Sequence, residues 1–472
     1  MIGGAMSNED KTKYIVILMY SIIIVGIFMY ISTKYYEQGT RCGSMEKNYK
    51  DANFHIITKG NSDDYQPWLI NLRCKNGLNG GSKNYSNTCS VTRVKANASS
   101  VERIQENNIE HVEYVPACLL NYNIKTAYNC CAVNTFKNSW VGECALKHCI
   151  SAGARCLDFE IYSMNNNPVI GFSSRENNLN IKESFNKIDL FKAFNIINNY
   201  AFEPSITEQC RNFPVIVHLR LKTKNVKVYD KIAKMLYQSF GDKLLDPKYS
   251  YKNDKTRETL HSTDNKWAHN LEGISNYDSK IPLICRNLNN TYSGDDPNAN
   301  NDFHNKVIVI VNVTSILPGK SETETGIEFE QICKQGGRDG ILLDYMNLLS
   351  PSPFCSHLRD FEVQNASESE RKRVKTESRY KLIFTSPTVG NSSKNVDFEL
   401  HRKSGAQMIG MCFQNYIKDR PESLSQITQY HRYFKEKGMY ARKSLPDSFT
   451  YKILADPDPE KNSVMTAPKT TN

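Results

Sequence analysis

The chain lacks a CxxC pair, a cysteine and histidine spacing of the zinc type, a glycine-rich dinucleotide loop, and any RNP-like, zinc-finger or helix-turn-helix signature. Those absences set aside thiolate metal centres, dinucleotide chemistry and sequence-directed nucleic-acid binding. A lone GGRDG at Gly336 to Gly340 is too short a signal for a phosphate loop. A strong charge of one sign is also missing. The net charge of +10 over 472 residues is diluted by Asp-, Glu- and Asn-rich loops, which suits an anionic surface without requiring nucleic acid. Wholesale disorder is excluded too, because 39% hydrophobic residues suffice for the core of one large α/β domain or two ordinary ones.

What is present begins with Tyr14 to Ser32, an uncharged apolar run of about the length that crosses a bilayer. A cleaved signal peptide needs a shorter apolar region and a small-residue cleavage site, and Thr33-Lys34-Tyr35-Tyr36 offers none. The expectation is a single-pass membrane protein anchored through Tyr14–Ser32, in a host or virion membrane. Lys11 and Lys13 on one side are balanced by Lys34 and Arg41 on the other, so charge alone does not orient it.

All 14 cysteines follow the anchor. Cys156 and Cys412 sit in apolar runs and read as buried free thiols. A bridge is expected among Cys42, Cys74, Cys89 and Cys118, which lie in loop-like sequence. Sequons at Asn84, Asn97, Asn289, Asn312, Asn365 and Asn391 are weak evidence of a lumenal face, since Asn-rich sequence generates them by chance.

In order, residues 1–13 read as a polar tail, 14–32 as the anchor, 33–110 as a loop-rich stalk or cap, 111–450 as a folded domain and 451–472 as a disordered tail. Within the domain, 248–305 is too long and polar for an ordinary connection and reads as an insertion. Ala154 to Ile161, Phe213 to Leu221, Val307 to Val313, Tyr380 to Thr385 and Gln407 to Phe413 have strand patterns; 188–201 and 229–240 have helical spacing. That alternation favours a parallel β/α barrel of the TIM type over a doubly wound sheet. Period-two geometry puts Asp158 and Glu160 on one strand face, where two like charges call for a cation.

GARCLDFEIY, then NPVIGF, then FPVIVHLRLK followed by KMLYQSFGDKLL, then GAQMIGMCFQNY, resemble in that order the catalytic barrel of phosphatidylinositol-specific phospholipase C, over roughly Asn121 to Leu445. Composition and the segment TAYNCC also resemble the phospholipase-C-like proteins of large DNA viruses. The resemblance implies a TIM-type barrel that cleaves inositol phospholipids through a cyclic phosphodiester, with two histidines and a calcium ion. Carried over by position, the first histidine falls on Tyr128 and the second on Phe172; the calcium ligands fall on Asn129, Asp158, Glu160 and Arg220. Tyrosine titrates at about 10 and phenylalanine not at all, while each acid/base group is worth about a hundred- to ten-thousand-fold. Calcium wants oxygens, and a guanidinium among them opposes it.

His218, Arg220 and Lys222 share one strand face, and the expectation is a buried ion pair from Arg220 to Asp158 and Glu160 in a vestigial calcium site. No cofactor is expected, with calcium the exception if that site still binds. The leading reading is therefore an anchored, catalytically degenerate barrel acting as a structural or binding module, with viral structural proteins among its partners. The alternative is an active phosphoric diester hydrolase with a rearranged acid/base pair, His218 being the candidate base; metal-independent bacterial relatives use arginine in place of calcium. A third reading is a binder of anionic or inositol lipid headgroups through the phosphate-facing Arg220 and Lys222 and the basic run Arg371 to Lys375, a run that more often marks a solvated face.

Overall fold

The structure, a computed structural model, describes residues 8–59, 70–74, 89–97, 100–105, 119–176, 179–203, 213–253, 303, 305–378, 381–390, 394–415, 421–434 and 438–441. Helix α1 (Asn8–Lys59) carries the apolar run. Its Lys11–Tyr36 window has a mean hydropathy of 2.5 and none of it is buried against protein, so it is long and apolar enough to cross a membrane. The helix runs on to Lys59, across the first part of what reads in sequence as a loop-rich stalk. Beyond it, β1 (Ile70–Cys74), β2 (Cys89–Asn97) and β3 (Ser100–Gln105) form an antiparallel three-stranded sheet. That register sets Cys74 opposite Cys89.

The barrel begins at β4 (Tyr122–Ala127), followed by α2 (Glu143–Ser151), β5 (Cys156–Met164), β6 (Asn167–Gly171), β7 (Ile188–Asp189) and α3 (Leu190–Tyr200). Next come β8 (Val215–Leu221), α4 (Val226–Phe240), β9 (Val307–Asn312), α5 (Glu322–Cys333), α6 (Leu342–Tyr345) and β10 (Leu348–Ser350). The chain continues through β11 (Cys355–Arg359), α7 (Asp360–Asn365), α8 (Glu368–Glu377), β12 (Leu382–Ser386), α9 (Phe398–Lys403), β13 (Met408–Met411), α10 (Pro421–Phe434) and β14 (Met439–Ala441). Eight parallel strands run in the order β10-β9-β8-β5-β4-β13-β12-β11. The seam between β10 and β11 has no ladder; an isolated bridge between Ser352 and Cys355 spans it. This is a nearly closed TIM-type barrel, with β6 and β7 hairpinned outside β5 and β14 antiparallel beside β4.

Local chemistry explains the main elements. In β8 the set Val215, Val217, Leu219 and Leu221 alternates with Ile216, His218 and Arg220, and the whole strand is buried. On α4 the buried Val228, Tyr229, Ile232, Ala233, Leu236 and Phe240 follow helical spacing, Asn225 caps the start by accepting from Lys227 N, and Gly241 ends it at φ 47°. A capping box of Ser321 and Glu324 starts α5.

Several sequence expectations shift. The helix expected over 188–201 begins only after the short β7. The bridge on Cys42 goes to Cys144, outside the expected four, with Cα atoms 5.9 Å apart. The reason is tertiary: α1 outlasts the apolar run and lays Cys42 against Val133 and Ala145, where α2 begins. Cys118, residues 254–302 of the expected insertion and the tail 451–472 lie outside the described residues.

Candidate functional site

Parallel pairing of β5 with β8 sets Asp158 beside His218 and Glu160 beside Arg220. Alternation then sends these four side chains to one side of the sheet, away from the helices that cover Phe159 and Leu219. The Arg220 guanidinium fills the space between them. Its Nε donates to Asp158 Oδ1 at 2.9 Å, Nη1 to Glu160 Oε1 at 2.6 Å, and Nη2 to Asp158 Oδ2 at 2.9 Å and to Asn129 Oδ1 at 2.7 Å. All four of these residues are under 5% exposed. Asn129 stands where the chain leaves β4, at φ 43°, and its backbone N–H donates to Asp158 Oδ2 at 3.0 Å.

His218 completes the Asp158 shell through Nδ1, 2.7 Å from Oδ1. Each Asp158 oxygen therefore has two partners, which is the capacity of a carboxylate. Glu160 Oε2 accepts from the Tyr162 hydroxyl at 2.7 Å and from Ser173 N at 3.0 Å. Among the described residues, His218 Nε2 and Asn129 Nδ2 are buried without a partner.

Above this centre the two positions that the family resemblance gives to histidines are packed shut. The Tyr128 ring lies 4.6 Å from the Arg220 guanidinium carbon, and Phe136 spans the gap from Tyr128, at 5.6 Å, to Phe172, at 5.9 Å. All three rings are fully buried. Burial pushes the Tyr128 phenol up to about 12, against the pull of Arg220 and Arg359, so it stays protonated at neutral pH.

A second ion pair closes the mouth. Glu176, in the loop after β6, accepts from Arg359 through Nε at 2.9 Å and through Nη2. The Glu176 backbone carbonyl receives Lys222 Nζ at 2.6 Å and Ser315 Oγ at 3.2 Å. Lys222 thus spends a donor on the loop. Arg359 also donates to Ser386 Oγ at 2.7 Å. His357 uses both nitrogens, Nδ1 towards Asn312 at 3.0 Å and Nε2 towards Ser386 Oγ at 2.8 Å.

The charges of the centre are mutually fixed. Burial alone raises a carboxyl, but Arg220 and His218 hold Asp158 well below the usual carboxylate range, and Arg220 and Lys222 hold Glu160 below it. Burial pulls His218 down despite Asp158, and pulls His357 far down with help from Arg359. A folded-state pKa depressed below the unfolded value contributes stability that is present above the unfolded value of about 6.5 and is lost as pH falls. For His357 the loss approaches about 1.4 kcal/mol per pH unit below 6.5. Denaturant titrations at several pH values between 7.5 and 5.5 should show stability falling with pH, and His357→Asn should reduce the slope by up to about 1.4 kcal/mol per pH unit, leaving the share of the buried His218 and His431; an identical slope in the variant would assign the effect elsewhere.

Sequence reasoning missed Tyr162, Phe136, Glu176, His357 and Arg359. Tyr162 was legible, because it shares the period-two face of Asp158 and Glu160. His357 and Arg359 lie on β11, a five-residue strand with too little apolar alternation to signal itself. Of the remaining basic candidates, Arg371 to Lys375 lie on α8, where Arg373 pairs with Glu377 at 2.8 Å in a solvated i,i+4 contact.

Comparison with known proteins gives one family match: residues 117–267 fit the description "Phosphatidylinositol-specific phospholipase C, X domain". Among solved structures, L. pealei PLC21 aligns over 72% of this chain and 38% of its own at 13% identity and a TM-score of 0.45. For S. officinalis PLC21 the coverage and identity are the same and the TM-score is 0.43. The chain therefore spans well under half the length of those proteins, at 38%. No curated protein matches it.

Proposed function

We propose, starting from the match of residues 117–267 to the X domain of phosphatidylinositol-specific phospholipase C, that this barrel no longer turns over substrate and acts as a membrane-anchored structural or binding module. The observation that carries the reading is Arg220, which hydrogen-bonds all three oxygen-bearing residues at the family's metal positions, Asn129, Asp158 and Glu160. Calcium needs six to eight oxygens, and here Asp158 has no acceptor capacity left while a fixed positive charge sits between the carboxylates. The residues present do not fit the ion. At the two acid/base positions Tyr128 and Phe172 supply no group that exchanges a proton near neutral pH.

The apolar part of α1 supports the anchor, since Tyr14 to Ile31 expose large side chains that no protein surface covers. The membrane is that of a host cell or a virion. Headgroup recognition by His218, Arg220 and Lys222 is disfavoured in this arrangement, because all three are buried and engaged.

Hydrolysis is the direct test. The full chain in detergent micelles, incubated with phosphatidylinositol with and without calcium, should release inositol phosphate no faster than a buffer control. Robust release would overturn the reading.

One observation favours the catalytic alternative. Asp158 orients His218 through Nδ1 and, among the described residues, Nε2 has no partner, which is the arrangement of a base held by a carboxylate. Against it, His218 has no exposed surface and its ring lies 4.6 Å from Phe384. If hydrolysis is found, loss of it in His218→Gln would assign the base there.

A further inference from the structure

The cysteines whose side chains are described sort by exposure. Cys42 and Cys144, both half-buried, are bridged, whereas seven others are buried free thiols. The bridge joins α1, at a point just past its apolar window, to the start of α2, across a sequence separation of 102 residues. With the edge-on contact of Tyr35 and Trp140 at 4.9 Å, it holds the barrel against the membrane-proximal turns of the helix. The barrel and the bridge therefore lie on the same side of the span.

Bridges between accessible cysteines persist where the surroundings are oxidising and are reduced in the cytosol. The free thiols are compatible with an oxidising side. Exchange needs a thiolate, and burial keeps Cys149 and Cys156 protonated. A second observation points the same way. Asn365, in the sequon Asn365-Ala366-Ser367, is exposed at the end of α7. By contrast Asn312, in the sequon Asn312-Val313-Thr314, is buried in β9 with its amide 3.0 Å from His357 Nδ1, so the folded barrel cannot carry a glycan there.

We propose that the barrel side of the span faces an oxidising, glycosylating compartment, where Cys42 and Cys144 are bridged and Asn365 carries an N-linked glycan. This supplies the orientation that the balanced flanking charges leave open, and it rests on α1 crossing the membrane. In the bridging step the two thiols lose two protons and two electrons to a disulfide-carrying oxidant, which is reduced to a dithiol. In the glycan step a bond forms between Asn365 Nδ2 and the sugar C1, the sugar–pyrophosphate bond of a polyprenyl-linked oligosaccharide donor breaks, and the amide gives up one proton.

The full chain expressed in eukaryotic cells tests both parts on one membrane preparation. Expected are retention in the pellet after alkaline carbonate, a mobility increase on endoglycosidase treatment that is smaller by one glycan in Asn365→Gln, and alkylation of Cys42 and Cys144 only after reduction. Release by carbonate would overturn the membrane-spanning reading itself. Retention without any endoglycosidase effect, with Cys42 alkylated before reduction, would overturn the orientation while leaving the anchor intact. An endoglycosidase effect unchanged in Asn365→Gln would remove the glycan from that residue.

Discussion

Arg220→Met should lower the stability of the barrel by about 3–5 kcal/mol, because it leaves two buried carboxylates without their cation. For a domain of this size that corresponds to a fall in Tm on the order of 10 °C. Methionine fills much of the volume, so the loss reports charge and hydrogen bonding more than a cavity. The acid limb provides an independent signature. In the native protein Asp158 and Glu160 are depressed, so their contribution is present above the unfolded carboxyl value of about 4 and is lost as pH falls through the folded values. In the variant burial is opposed only by the weaker pull of His218 on Asp158 and of Lys222 on Glu160, so both folded-state values rise, and the deficit should narrow as pH falls through them and on below about pH 4. Combining Arg220→Met with Asp158→Asn and Glu160→Gln should recover part of the loss, since neutral amides tolerate the missing cation. Thermal unfolding of the three proteins decides it; an unchanged Tm in the single variant would show that the pair carries no weight.

Arg220→Glu should convert the centre into one that responds to calcium. The substitution replaces the guanidinium by a carboxylate beside Asn129, Asp158 and Glu160, giving hard oxygen donors around the vacated volume. Without calcium the variant gathers three buried carboxylates and should be less stable than Arg220→Met. With calcium at a hundred times its dissociation constant, binding to the folded state should return about 2.7 kcal/mol. The native protein should show no calcium-dependent change in Tm, since Arg220 holds the oxygens that the ion would need. Equal stabilisation of both proteins by calcium would refute the claim that a guanidinium has replaced the ion; no response in the variant would show that the remaining shell is no longer a metal cage.

The part of this site that was legible from sequence is the part governed by strand periodicity. Alternation alone put Asp158 with Glu160 and His218 with Arg220 on single faces, and the parallel pairing of β5 with β8 makes those faces neighbours. The mouth of the barrel was not legible, because Glu176 and Arg359 stand 183 residues apart and meet only when the loop after β6 crosses to β11. Phe136 follows the same logic: its loop has no period, and its role as a spacer between Tyr128 and Phe172 exists only in three dimensions.

By itself the sequence determined the apolar span, the alternation of strands and helices, and the shared faces of Asp158 with Glu160 and of His218 with Arg220, because these depend on composition and short-range period. Tertiary structure decided how the buried charges are satisfied. Arg220 has several donors in a rigid fork, and only the barrel's curvature brings Asn129, Asp158 and Glu160 within reach of them at once. It also decided which cysteine Cys42 meets, since that depends on how far α1 continues past its apolar run and where α2 lies when it arrives.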